Sequence, residues 1–171
     1  MKLVLVGYMA SGKSTIGQIL ADDLKIDFID LDTAIADSVG LSVPELFKTK
    51  GEVFFRKKET LFLEELLDTD KDLILATGGG TPCYGNNMDI ILEKATHSLY
   101  LKLSIPSLVG RIIMQKENRP LVSNITNEDL PEFIGKHLFE RSSQYERASN
   151  IINCDSKTID ELKEEIKDLL L

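Results

Sequence analysis

The sequence predicts a three-layer α/β/α domain built on a five-stranded parallel sheet. Three features predict it. Short continuous apolar runs are separated by helix-length amphipathic segments, the pattern of strands covered on both faces. A glycine-rich turn joins the first such run to the first helix pattern. The length of 171 residues suits one domain, residues 1–171, with a core large enough to need no disulfides.

The first strand is expected at 3–6, where Leu3, Val4, Leu5 and Val6 run together. That run is too short for a secretion signal, and Lys13 follows soon after. A helix pattern occupies about 13–24, and Phe28 and Ile29 end a second strand. Further strands are expected at 73–76, 98–103 and 151–152. Helices are expected at 43–49, 52–67, 88–94, 105–114, 131–147 and 159–170. Residues 115–129 are polar and contain Pro120, which reads as a long loop and, at that length, as a lid.

Composition narrows the function classes. Hydrophobic residues at 43% and charged residues at 28% place the chain among globular proteins. Cys83 and Cys154 are far apart and form no CxxC or Cys/His cluster, which argues against a disulfide framework or a zinc site and for a reducing cytoplasm. No apolar run approaches a membrane span. The net charge of −8 disfavours nucleic acid and anionic membrane surfaces as partners.

The strongest chemical signal is Gly7-Tyr8-Met9-Ala10-Ser11-Gly12-Lys13-Ser14, followed by Thr15, which matches G-x-x-x-x-G-K-[ST]. Gly7 and Gly12 let backbone N–H groups wrap around phosphate oxygens, and the following helix aims its positive end at them. Lys13 is placed to reach the outer phosphates and Ser14 to ligate Mg²⁺.

Asp30 and Asp32 stand at the carboxyl end of the second strand, where open parallel sheets bind ligands. Asp30 is a candidate for the Mg²⁺ shell and Asp32 for a substrate hydroxyl. The competing reading of Asp32 is as N-cap of a helix starting near Thr33. The glycines Gly78, Gly79 and Gly80 end the third strand and permit close approach of backbone to a ligand.

Arg56 with Glu59 one turn later has a plain alternative as a surface i,i+3 ion pair. Arg141 interrupts an apolar helical stripe of Ile134, Leu138 and Tyr145, where a charge buried alone is costly; an internal acid, a side chain snorkelling to water or a bound carboxylate would each account for it. Arg119, beside Pro120, is placed to swing over a transferred phosphate. Arg111 is placed to stack on adenine or touch a phosphate, and for either arginine alone the plain alternative is a solvated surface residue. His97 and His137 read as structural or surface residues, and Cys83 as a small buried residue.

Together these segments resemble the shikimate kinases. The resemblance rests on the P-loop through Thr15, Phe28-Ile29-Asp30-Leu31-Asp32, Phe55-Arg56 with Glu59, the triple glycine, Asn118-Arg119-Pro120-Leu121, and Arg141-Ser142-Ser143-Gln144-Tyr145. It implies a nucleoside-monophosphate-kinase-like P-loop fold with a lid at about 115–129. It also implies transfer of the ATP γ-phosphate to the 3-hydroxyl of shikimate, with Mg²⁺, on the way to chorismate and aromatic amino acids. By the same resemblance Ala10, Ser11, Gly12, Lys13, Ser14, Thr15, Arg111 and Arg119 serve ATP, and Ser14 and Asp30 serve the metal. Asp32, Arg56, Arg141 and the backbone of Gly78, Gly79 and Gly80 hold shikimate, and Lys13, Asp32 and Arg119 are the catalytic set. A cytoplasmic monomer is expected.

The family commonly has glycine where Ala10 stands, an exchange expected to be tolerated if Ala10 adopts negative φ. Another small-metabolite kinase, such as a gluconate kinase, is the alternative within enzymes. A non-catalytic nucleotide-binding module is the alternative outside them, disfavoured by the presence of both Lys13 and Asp32.

Overall fold

In the computed structural model, which describes residues 1–116 and 121–170, five parallel strands form one sheet in the order β2-β3-β1-β4-β5. They are β1 (Lys2–Val6), β2 (Asp27–Asp30), β3 (Leu73–Ala76), β4 (His97–Lys102) and β5 (Asn150–Asn153). β1 lies at the centre, and Leu3, Val4, Leu5 and Val6 are wholly excluded from solvent. This explains its unbroken apolar run: a strand covered on both faces has no solvent side to alternate with.

The helices are α1 (Lys13–Leu24), α2 (Leu31–Val39), α3 (Val43–Lys50), α4 (Glu52–Leu67), α5 (Asn87–Lys94), α6 (Ile105–Met114), α7 (Leu130–Tyr145) and α8 (Ile159–Leu170). A 3-10 turn, Thr81–Cys83, follows the triple glycine and was not expected from the sequence. Four helices have the expected bounds and the others differ by one or two residues, apart from α2.

The start of α2 corrects one reading. The helix begins at Leu31, and its cap is Asp30, whose Oδ1 accepts from the Thr33 backbone N–H at 3.2 Å. Asp32 lies in the first turn and caps nothing, so its side chain is left for other work.

Register brings the strand ends together. Leu5 pairs with Ala76 and Ala76 with Asp30, so the P-loop, the triple glycine and the Asp30–Asp32 segment leave one edge of the sheet side by side. The chain passes from β3 on one side of β1 to β4 on the other, so the crevice opens at the end of β1. Gly17 lets α1 lie close on the sheet. A Cβ there would stand 2.5 Å from the Phe28 ring and 3.1 Å from Leu5. Close seating of α1 in turn holds the phosphate loop against β1.

The described residues of 115–129 form turns. Val122 within them is fully buried in the main core, whereas its neighbour Leu121 is exposed. Arg119 and Pro120 lie outside the described residues.

Candidate active site

The loop from Gly7 to Gly12 turns on three left-handed residues: Gly7 (φ 146°), Ala10 (φ 62°) and Gly12 (φ 96°). The expectation of negative φ at Ala10 is therefore overturned. Ala10 sits where an L-residue is strained by roughly 1–2 kcal/mol, and the loop keeps its course despite the methyl group. Part of the reason is Arg111 on α6. Its Nη1 donates to the carbonyl oxygens of Ala10 and Ser11, both at 3.2 Å. In this structure Arg111 thus grips the loop from outside the chain segment.

Among α1 to α7, α1 alone combines the lack of a side-chain cap with the lack of an acidic residue in its first turn; α4, α5 and α7 are uncapped but carry Glu52, Asp89 and Glu132 there. α2, α3 and α6 are capped by the side chains of Asp30, Ser42 and Ser104. α1 starts at Gly12 with no side-chain cap and no acidic residue in its first turn. Its first N–H groups and the positive end of its dipole face the cleft, an arrangement suited to phosphate.

Lys13 is buried, and its Nζ donates to the carbonyls of Gly7 and Tyr8, both at 2.9 Å. Beside it the Ser14 hydroxyl donates to Asp30 Oδ2 at 2.6 Å, joining the two residues expected to face a metal. Asp30 therefore does two jobs at once, capping α2 with one oxygen and holding Ser14 with the other. A cleft of about 490 Å³ runs over Gly12, Lys13, Ser14, Thr15 and Arg111.

A second pocket of about 260 Å³ continues from the first, sharing Met9, Asp32, Gly78 and Gly79 with it. Arg56 from α4 and Arg141 from α7 stand over its glycine floor. Each glycine lies against one polar side chain of the pocket. A Cβ on Gly78 would lie 2.6 Å from Asp32 Oδ1, and on Gly80 2.5 Å from Arg56 Nη2. On Gly79 it would lie 3.7 Å from Arg141 Nη1. None of the three has positive φ. Gly78 and Gly80 are thus explained by steric room for the protein's own charged groups, whereas a side chain at Gly79 would make only ordinary contacts.

The surface-pair reading of Arg56 is corrected. Glu59 is fully buried and accepts from Arg56 Nη1 at 2.8 Å, while the Arg56 side chain is only 13% exposed. Arg141 is half-buried, and among the described residues no carboxylate lies within ion-pair distance of it; its guanidinium stands 6.0 Å from the Tyr8 ring centroid. The internal-acid explanation of the stripe is thereby removed among the described residues.

Asp32 carries the clearest electrostatic signature. Its Oδ1 is buried with no hydrogen-bond partner among the described residues. Burial raises its pKa to about 6, helped by the nearby Glu59 and Asp30 and opposed by Lys13 and Arg56. A buried carboxylate oxygen without a donor is costly, and a ligand hydroxyl would satisfy it.

Three features escaped the sequence reading. Cys83 is exposed, not buried, with its Sγ 3.9 Å from the Arg141 carbonyl. Tyr8 inside the P-loop bonds His137 Nδ1 on α7 at 3.0 Å. Burial, with Arg141 opposing, pushes its phenol up to about 12. Thr81 and Asn87 are buried polar residues beside Glu59. Local sequence carried no signal for any of these, because each is defined by a neighbour distant along the chain.

Comparison with known proteins places this arrangement. The family model described as shikimate kinase matches residues 9–170. The shikimate kinase of Flavobacterium johnsoniae is 44% identical over 99% of this chain and 98% of its own. That of Flavobacterium psychrophilum is 43% identical with the same coverage. Among solved structures, shikimate kinase from Bacteroides thetaiotaomicron superposes with a TM-score of 0.92 at 31% identity, covering 99% of this chain and 98% of that one. Shikimate kinase from Acinetobacter baumannii in complex with shikimate gives 0.88 at 32% identity, covering 99% and 92%. The chain that builds this phosphate loop and this glycine-floored pocket matches one enzyme family over nearly its whole length, and it belongs to the shikimate kinase family.

Proposed function

We propose that this protein transfers the γ-phosphoryl group of ATP to the 3-hydroxyl of shikimate, giving shikimate 3-phosphate and ADP for the route to chorismate and aromatic amino acids. The observation that carries the residue assignment is Asp32, whose Oδ1 has no partner among the described residues, lining a pocket with Arg141 and with Arg56, which is itself paired to Glu59. A ligand with one carboxylate and several hydroxyls satisfies all three. Arg56 and Arg141 take the carboxylate, Asp32 takes a hydroxyl, and the backbone of Gly78, Gly79 and Gly80 closes the floor.

ATP lies along the larger cleft. The N–H groups of residues 10–15 hold its phosphates, and Arg111 lies on the adenine side as well as bracing the loop. Asp32 accepts the proton of the attacking hydroxyl as its oxygen bonds to the γ-phosphorus. The bond from that phosphorus to the β–γ bridging oxygen breaks, and ADP leaves with the electron pair. Lys13 exchanges its two loop carbonyls for outer phosphate oxygens.

The Ser14 hydroxyl and Asp30 carboxylate fit Mg²⁺: one hydroxyl and one carboxylate at hydrogen-bond distance are the sparse oxygen set that leaves most positions to phosphate and water. When bound, Mg²⁺ neutralises charge on the β- and γ-phosphates. Residues 115–129 serve as the lid, and Arg119, outside the described residues, is its arginine. A cytoplasmic monomer that binds neither nucleic acid nor membrane completes the proposal; it is supported by the net charge of −8 and by the lack, among the described residues, of a helix long and apolar enough to cross a membrane.

ADP release measured with shikimate, gluconate, nucleoside monophosphates and no acceptor tests this directly. Turnover with shikimate and only background with the rest is expected. Turnover with gluconate or a nucleotide in its place would overturn the assignment.

A further inference from the structure

Glu59 spends its two oxygens on partners from different elements. Oε2 takes the Arg56 guanidinium, and Oε1 takes the hydroxyl of Thr81, the first residue of the 3-10 turn. The Thr81 carbonyl accepts from Asn87 Nδ2 at 2.9 Å, and Asn87 Oδ1 accepts from the Thr60 hydroxyl at 2.8 Å. Thr60 is the residue after Glu59 on α4, so the chain of bonds returns to the helix where it began. Glu59, Thr81 and Asn87 are all fully buried.

An ion pair three residues apart on an exposed helix wanders among rotamers and is worth little. Here one carboxylate oxygen is pinned from outside the helix, which leaves Glu59 one geometry. Arg56 also meets the exposed Glu52 through Nε at 3.4 Å, and its two terminal nitrogens are restrained from two sides. Glu59 holds Nη1, and Gly80 backs Nη2 so closely that a Cβ there would stand 2.5 Å away. Gly80 immediately precedes Thr81, so one short turn supplies both the wall and the hydroxyl.

We propose that Thr81 and Asn87 are positioning residues for the acceptor: through Glu59 they fix the direction in which the Arg56 guanidinium meets the acceptor's carboxylate. This rests on the acceptor reading given above. Thr81 touches neither reactant and acts through two intermediaries, so its effect falls on acceptor binding and spares the donor side.

The test is steady-state kinetics of Thr81→Val, which keeps the shape and removes the hydroxyl. Shikimate KM is expected to rise about tenfold, the scale of one lost hydrogen bond to a charged group. kcat and ATP KM should stay within about twofold, the geometry at the phosphates being untouched. Thr81→Ser restores the hydroxyl and should return shikimate KM to within about twofold of wild type. Thr60→Val, at the half-buried far end of the chain, should raise shikimate KM by about two- to threefold.

A Thr81→Val protein with a lowered melting temperature and a normal shikimate KM would show mere core satisfaction and overturn the proposal. Should that variant fail to fold, an unchanged shikimate KM in Thr60→Val overturns it equally. A wild-type protein inactive on shikimate would remove the acceptor reading itself, and that is seen before any variant is made.

Discussion

The P-loop half of the cleft is made by consecutive residues and pays in backbone conformation, with three left-handed residues between Gly7 and Gly12. The glycine-floor half is made by side chains from α2, α4 and α7 and carries its cost as buried charge: Asp32 unsatisfied, Glu59 fully excluded from water. The physical reason lies in the ligands each half suits. Phosphate oxygens are met well by main-chain N–H groups, which a local turn can aim. A carboxylate and hydroxyls at fixed separations need side chains converging from several directions. Removing a side chain that meets the phosphates in the first half should therefore remove catalysis outright. Changes in the second should spare ATP binding and act on the acceptor, through its binding or its activation.

The largest expected effect is in the first half. Lys13→Ala should lower kcat by at least about a thousandfold, since electrostatic stabilisation of the moving phosphoryl group is its proposed task. Ser14→Ala should follow, with its residual activity shifted to higher Mg²⁺ concentration. Because Lys13 is buried against two loop carbonyls, its loss also takes a donor from each, with the Tyr8 oxygen keeping the Ser11 N–H. Circular dichroism must accompany the kinetics. Wild-type turnover by either variant would erase the distinction between the halves.

Asp32→Asn should drop kcat by about 10²–10⁴-fold with ATP binding kept. The same variant should be more stable than wild type in the absence of ligand and metal, in a pH-dependent way. With a pKa of about 6 in the folded state against 3.8 ordinarily, the folded protein holds the proton more tightly than the unfolded chain. Below about pH 3 both states are protonated and the carboxylate costs nothing. Between those values stability falls as pH rises, and above about pH 7 the full penalty applies. Asn removes that penalty, less what the first turn of α2 gains from an acidic residue. The expected gain is about 1–2 kcal/mol at pH 8 and close to zero at about pH 3. Melting temperatures of both proteins across this range check it, and a constant difference would contradict the buried-charge account.

Arg141→Lys keeps the charge and loses the fork. Acceptor KM should rise about 10–100-fold, the equivalent of roughly 1.5–3 kcal/mol. The melting temperature should barely move, since among the described residues no acid pairs with Arg141. A fall in melting temperature with a normal KM would make Arg141 structural and blur the contrast.

The smallest effect returns to the first half. Ala10→Gly relieves a left-handed alanine while adding freedom to the unfolded chain, so the net gain should be about 0.5–1 kcal/mol with kcat near wild type. A loss of stability would mean that the methyl group, which packs against the core, contributes more than the strain it causes.

The sequence by itself determined the sheet, because the apolar runs of β1 and β3 and the periodicity of α1, α4, α6 and α8 are local properties of the chain. It determined the P-loop for the same reason: Gly7, Gly12, Lys13 and Ser14 act at fixed spacing along one segment. It also named Asp32, Arg56 and Arg141, with the help of family resemblance. What it left undecided was contact. Whether Asp30 or Asp32 caps α2 depended on where the helix began. Whether Arg56 and Glu59 met on the surface or in the interior depended on Thr81 and Asn87 arriving from the far side of β3. The sign of φ at Ala10 was decided by a loop closed at both ends and held by Arg111, over a hundred residues away in sequence. Burial, partnership and strain are properties of pairs of distant residues, and only the tertiary structure forms those pairs.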